Sequence, residues 1–279
     1  MSAGQRRSSR ALVAWMSAAE VARLRGNAGD AGRAERARVA LARRPAGLDQ
    51  SALIEPWPAA LELHGAALRD SQGAKPMFDN GWELAVIGDL RRVVAAQPTV
   101  FTDEVEGDGL LAAPDDLAAL ARLTLPLSPP SAQLPAHFDE ESQTWNISSP
   151  SPNLRITGTF AGEVKPDVLG FGFLLEVLTS FVSVAEFRGR YILRDGYHRT
   201  HNLLSAGLVR VPAFVRHFDD ADELFRQGML PVDAYCGERP PTLADYHDDG
   251  VSADVSYTPS ATRVLVKALP AGLALGRLL

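Results

Sequence analysis

The sequence predicts an α/β (α+β) protein in which a helical N-terminal region precedes a mixed-sheet domain. Three observations carry that prediction. Up to about residue 69 the apolar residues recur at helical spacing. Residues 125–135 then hold four prolines, which reads as a linker or extended loop. Beyond it, runs of β-branched and aromatic residues alternate with Gly, Pro, Ser and Asn clusters, the signature of strands and turns. The main boundary therefore falls at 130/131, giving a helical or mixed region over 1–130 and a sheet domain with a C-terminal extension over 131–279.

The elements follow in order. Ala11, Leu12, Trp15, Met16, Val21 and Leu24 predict a helix over 11–25, with Ser17 and Glu20 spaced as a capping box. An Ala- and Arg-rich helix is expected over 31–43, ended by Pro45 and Gly47. A third follows the Pro56 and Pro58 break, over 57–69. The apolar density of 82–94 fits helix or strand. Pro114 sits near the first turn of a short helix over 115–123. Strands are expected at 144–147 and 154–157, with a turn cluster over 148–152. Residues 181–187 and 191–193 flank Arg188-Gly189-Arg190, a hairpin signal. A helix over 200–205, a stop at Gly207, a strand over 209–215 and a helix over 219–227 complete the pattern, with a strand-like run at 264–266. Trp82, Trp145, Phe171 and Phe173 are expected in the core.

Composition narrows the classes. Of 279 residues, 46% are hydrophobic and 22% charged, an ordinary globular balance with ample material for a core. Cys236 is the sole cysteine, which excludes an intramolecular disulfide and a cysteine metal cluster and fits a reducing cytoplasm. The apolar run after Arg6, Arg7 and Arg10 is short and broken by Glu20 and Arg23, so a cytoplasmic helix is expected rather than a signal peptide. No apolar run approaches the ~18 residues of a membrane span. Arginines outnumber lysines 25 to three, which with abundant Ala indicates the codon bias of a GC-rich bacterial genome. The net charge of −6 hides an asymmetry, because residues 1–50 carry ten Arg and four acids. Those basic N-terminal helices suit an acidic protein partner or form a solvated face. They lack the basic stripe with interleaved aromatics that nucleic-acid binding uses, so nucleic acid is not an expected partner.

The chemistry-bearing feature is Asp195-Gly196-Tyr197-His198-Arg199, placed between a strand and a helix. Gly196 accepts a positive φ or a close ligand. The following helix begins with N–H groups and a positive dipole end, an arrangement that favours an anion. His198 and Arg199 add donors, and a guanidinium meets phosphate bidentately. The dipole contributes only about 0.3–1 kcal/mol, so Arg199 and the amides must supply most of any affinity. The plainer alternative is that Asp195 caps the helix and pairs with Arg199 while His198 packs. His198 and His201, three apart, share a helical face but lack a third ligand at a clear spacing, so no metal site is expected.

The stretch from Tyr191 to Val215 resembles the ParB/sulfiredoxin superfamily: a strand ending in a Gly-x-His-Arg turn, a helix, a glycine, then a strand opening Val211-Pro212. With its flanks the resemblance covers about 35 residues, an eighth of the chain. It implies a ParB/sulfiredoxin-like domain that binds a nucleotide or another anionic ligand, with ATP or CTP and Mg²⁺ as candidate cofactors. Gly196, His198 and Arg199 would be phosphate ligands within a binding set of Asp195, Gly196, Tyr197, His198, Arg199 and Thr200. Asp195 would orient the turn and Thr200 would add a hydroxyl. As a kinase or nucleotide hydrolase, the chain would use Glu186 as base or metal ligand and His198 as proton carrier. As a non-catalytic module, the nucleotide would act as a switch. Tyr197 occupies the position of the sulfiredoxin cysteine, which excludes that reductase chemistry. A DNA-binding or nuclease role follows from family association alone, and Gly237-Glu238-Arg239-Pro240-Pro241 matches the DNA-segregation box only superficially.

Overall fold

A computed structural model describes residues 7–24, 31–102, 113–129, 134, 136–149, 153–224, 228–257 and 262–267. In chain order the elements are β1 (Arg7–Ala11), α1 (Ala18–Arg23), α2 (Ala31–Ala42), β2 (Ile54–Pro56), α3 (Glu62–Asp70), α4 (Lys75–Asp79), β3 (Glu83–Ile87), β4 (Val94–Ala95), β5 (Thr99–Phe101), α5 (Leu117–Thr124), β6 (Ala136–Asp139), β7 (Thr144–Ser149), β8 (Leu154–Lys165) and β9 (Val168–Val177). They continue with β10 (Ser183–Phe187), β11 (Arg190–Asp195), α6 (Tyr197–Ser205), β12 (Val211–Phe218), α7 (Ala221–Leu224), α8 (Val232–Cys236), β13 (Ala253–Tyr257) and β14 (Thr262–Lys267). The mixed α and β class is as expected.

The division of the chain corrects the expected one. One compact unit joins Met1–Ser128 to Thr179–Thr258, and the other joins Pro129–Leu178 to Pro259–Leu279. The reason is strand pairing across the linker. A six-stranded sheet runs β2-β3-β12-β10-β11-β4, so N-terminal β3 and β4 flank the strands that carry the candidate turn. β3 pairs antiparallel with β12, and β4 parallel with β11. The apolar density of residues 82–94 thus resolves as a strand, a 3₁₀ turn and a second strand.

The hairpin forms as its sequence indicates. Arg188 and Gly189 both take positive φ (50° and 71°), the two-residue geometry that matches strand twist. β10 then lies between β11 and β12, pairing antiparallel with the first and parallel with the second. Val184, Ala185, Phe187, Ile192, Leu193, Ala213 and Phe214 are buried there. Phe214 meets the rings of Phe78 and Phe181 edge-on, each at 5.3 Å, a geometry that adds to the ~1.5–3 kcal/mol of burying one such side chain.

The N-terminal expectation is half right. Ser17 and Glu20 form the capping box of α1. Ala11 instead ends β1, the central strand of a β13-β1-β5 sheet, because the apolar run of Ala11, Leu12 and Val13 is buried on all sides. Among the described residues, Arg10, Arg33 and Arg44 of the basic N-terminal region are engaged internally. Arg10 reaches Asp254, Asp249 and the Tyr246 carbonyl; Arg33 donates to the Asp249 and Ser252 carbonyls; Arg44 pairs with Asp245 and Asp248. The positive head of the chain meets an acidic loop near its end.

The second unit contains a three-stranded β14-β7-β6 sheet and the β8–β9 hairpin. Here core placement is corrected: Phe171 is 64% exposed, and Trp145 and Phe173 are also exposed. Strand-like alternation identifies a side chain's face and leaves open whether anything covers that face. The end of the helix expected over 219–227, much of the proline-rich linker and part of the 148–152 turn cluster lie outside the described residues.

Candidate anion-binding site

The turn forms where β11 hands over to α6. Asp195 is the last strand residue. Gly196 is the N-cap with φ 93° and ψ 19°, and it supplies no side-chain cap bond. Glycine is required here for two reasons. L-residues avoid this backbone region, and a Cβ would lie 2.9 Å from Val182 Cγ2 and 3.1 Å from Val182 Cα. The β10–β11 register also shifts between Ser183 and Val184, opposite Asp195, and such bulges bend a strand end and re-aim its side chains.

The predicted residues separate into two groups. Tyr197 and Thr200 turn inward, a correction to their expected place in the binding set. The Tyr197 hydroxyl donates to the Leu193 carbonyl and accepts from the Ala96 amide, and burial pushes it well above the usual phenol range. Thr200 is fully buried and its hydroxyl donates to the Gly196 and Tyr197 carbonyls, each at 3.1 Å. Both hold the turn from behind. Asp195, His198 and Arg199 remain half-buried. Asp195 Oδ1 accepts the Gly196 amide at 2.7 Å, and Oδ2 accepts the Ser180 hydroxyl at 3.3 Å.

Arg199 points back across the turn. Its Nη1 donates to the Ser180 carbonyl at 3.1 Å and the Thr124 carbonyl at 3.4 Å. Thr124 is the last residue of α5, so the guanidinium also sits at the negative end of that helix. His198 stacks on Phe101 of β5, with centroids 4.8 Å apart and planes 19° from parallel. In place of the Asp195–Arg199 pairing of the plainer alternative, the structure has these contacts.

Glu186 lies elsewhere. It faces Tyr191 in the hairpin, whereas Ser183 faces Asp195, so Glu186 stands about 10 Å along the strand from the turn. Its carboxylate lies 3.7 Å from His217 Nδ1, and it is not brought to the candidate site. Sequence spacing put Glu186 on the right strand but at the wrong end, because antiparallel pairing sends the strand away from the turn.

Two features went unseen in the sequence. The first is the stack on Phe101, which lies almost a hundred residues earlier. The second is the approach of His247 to His201, with ring centroids 4.4 Å apart. His201 is buried, its Nε2 has no hydrogen-bond partner, and burial, followed by the neighbouring His247, His198 and Arg10, lowers its pKa to about 4. Among the described residues no group of three or more His, Cys, Asp or Glu is arranged to hold a metal ion. Cys236 is half-buried, and burial raises its thiol pKa, the opposite of an activated nucleophile. Among the described residues no helix is long and apolar enough to cross a membrane.

No family model, curated protein or solved structure matches this chain.

Proposed function

We propose that the β11–α6 turn binds the phosphate of a nucleotide in the manner of the ParB/sulfiredoxin group, with ATP or CTP and Mg²⁺ as ligands. One observation carries the reading: a positive-φ glycine, the positive end of a nine-residue helix and a half-buried guanidinium meet at residues 196–199. The donor chemistry suits phosphate. Arg199 is a permanent cation with a forked set of N–H donors, and His198 is held by the Phe101 ring at the same turn. Mg²⁺ commonly takes one or two protein carboxylates and completes its shell with phosphate oxygens and water. Asp195 would be that carboxylate here. Bound Mg²⁺ would neutralise phosphate charge, while the turn amides, Arg199 and His198 would fix the phosphate's position.

The position of Glu186 favours a binding or switch role over kinase or hydrolase chemistry, since it removes the expected base from the turn. Isothermal titration of the full chain with ATP, CTP and inorganic phosphate, with and without Mg²⁺, tests the proposal. Saturable nucleotide binding is expected, weakened roughly 10- to 100-fold by Arg199→Ala, the scale of a lost charged hydrogen bond. Absence of binding, or equal binding by Arg199→Ala, contradicts it. Phosphate release in the same samples would restore the hydrolase reading.

A further inference from the structure

The β8–β9 hairpin has chemistry that phosphate binding does not use. It comprises ten residue pairs, from Leu154 with Val177 to Lys165 with Val168. Among the described residues neither outer edge pairs with another strand. An isolated two-stranded ribbon is marginal in water, and an open edge is a template for further pairing. The side chains add to the problem. Ile156, Phe160, Val164, Leu169, Phe171 and Leu174 are each between 51% and 72% exposed. They occupy both faces. Phe160 covers Gly172 and Leu174 covers Gly158 on one side, while Phe171 opposite Ala161 belongs to the other.

We propose that the β8 edge pairs antiparallel with the β8 edge of a second copy of this chain, making a four-stranded sheet about a two-fold axis near Thr159. The open β8 edge supports a protein partner, because an antiparallel strand satisfies the N–H and C=O groups along it. Pairing about Thr159 sets Phe160 opposite Gly158 of the other copy, repeating the aromatic-over-glycine packing within the hairpin. It also brings the Arg155 end of each strand alongside the Glu163 end of the other, an opposite-charge match. β9 has no such self-complementarity, because Glu176 is its sole charged residue. A second copy supplies the same edge, which suits a closed, isologous dimer. The hairpin tip carries Glu163, Lys165 and Asp167, charges that belong in water rather than in a bilayer.

Sedimentation of the full chain and a cysteine cross-link test the proposal together. The wild type should sediment at twice the 30.0 kDa of one chain. In a Cys236→Ser background, Thr159→Cys should oxidise to a disulfide-linked dimer, whereas Lys165→Cys, at the strand end, should not. Phe160→Lys should weaken dimerisation by about 30-fold or more, the scale of a lost hot spot. A monomer at high micromolar concentration overturns the proposal, as does a dimer that Thr159→Cys fails to cross-link. So does a monomer that floats with anionic phospholipid vesicles, since lipid would then be what covers the hairpin. The cross-link needs only a surface substitution, so the answer survives a variant that folds poorly.

Discussion

The β10–β11 and β8–β9 antiparallel hairpins have similar apolar character and opposite fates. In β10–β11 the side chains of Val184, Ala185, Phe187, Ile192 and Leu193 are buried, because β12 and β4 extend the sheet on either side and helices cover it. In β8–β9 the corresponding alternation yields exposed Phe160, Leu169 and Phe171 beside two edges that are open among the described residues. Alternation therefore records that a face is meant to be covered. What covers it, the rest of the chain or a second molecule, is decided by neighbours distant in sequence.

Truncating one aromatic in each hairpin gives the largest expected contrast. Phe187→Ala should cost about 3–5 kcal/mol of unfolding free energy by chemical denaturation. Phe171→Ala, measured where the chain is monomeric, should stay within about 0.5 kcal/mol. Similar losses at both positions would break the comparison. Next comes Gly196→Ala, which forces a side chain into a positive-φ site against Val182. It should cost roughly 2–3 kcal/mol, while Gly162→Ala, where a Cβ meets open space in the exposed hairpin, should cost far less.

A pH dependence of similar or smaller size should arise from His201, a buried group near the turn. Its folded pKa lies near 4, below its ordinary 6.5, so between those values the unfolded chain binds more protons than the folded one. Its contribution is fully present above pH 6.5, falls as pH drops toward 4 and levels off below. The loss is about 3 kcal/mol, and denaturation midpoints of wild type and His201→Phe across that window isolate it. The smallest expected effect is that of Tyr197→Phe, which removes the acceptor from the Ala96 amide. A loss of roughly 1–2 kcal/mol with unchanged nucleotide affinity is expected, since Tyr197 supports the turn from inside.

Local features were legible in the sequence. The Arg188-Gly189 turn, the Ser17 capping box, Gly196 at the strand-to-helix change and the helix after it all depend on residues within a few positions of one another. Long-range features were not. Nothing near Arg199 announces the Thr124 carbonyl, nothing near His198 announces Phe101, and nothing in residues 82–94 says that they flank β11 and β12. The same limit explains Glu186: its strand was correctly read, but its distance from the turn depends on pairing direction. Tyr197 and Thr200 were misassigned because a motif fixes the position of a residue in the chain, while the packing of its helix decides whether its side chain turns outward.

The most direct measurement of the central claim is amide chemical-shift mapping on isotopically labelled protein during titration with ATP or CTP and Mg²⁺. Phosphate held at the β11–α6 turn should move the amides of Gly196, Tyr197, His198 and Arg199 most, saturably, and not in Arg199→Ala. Unmoved turn amides at saturating nucleotide, or shifts confined to another surface, would contradict it.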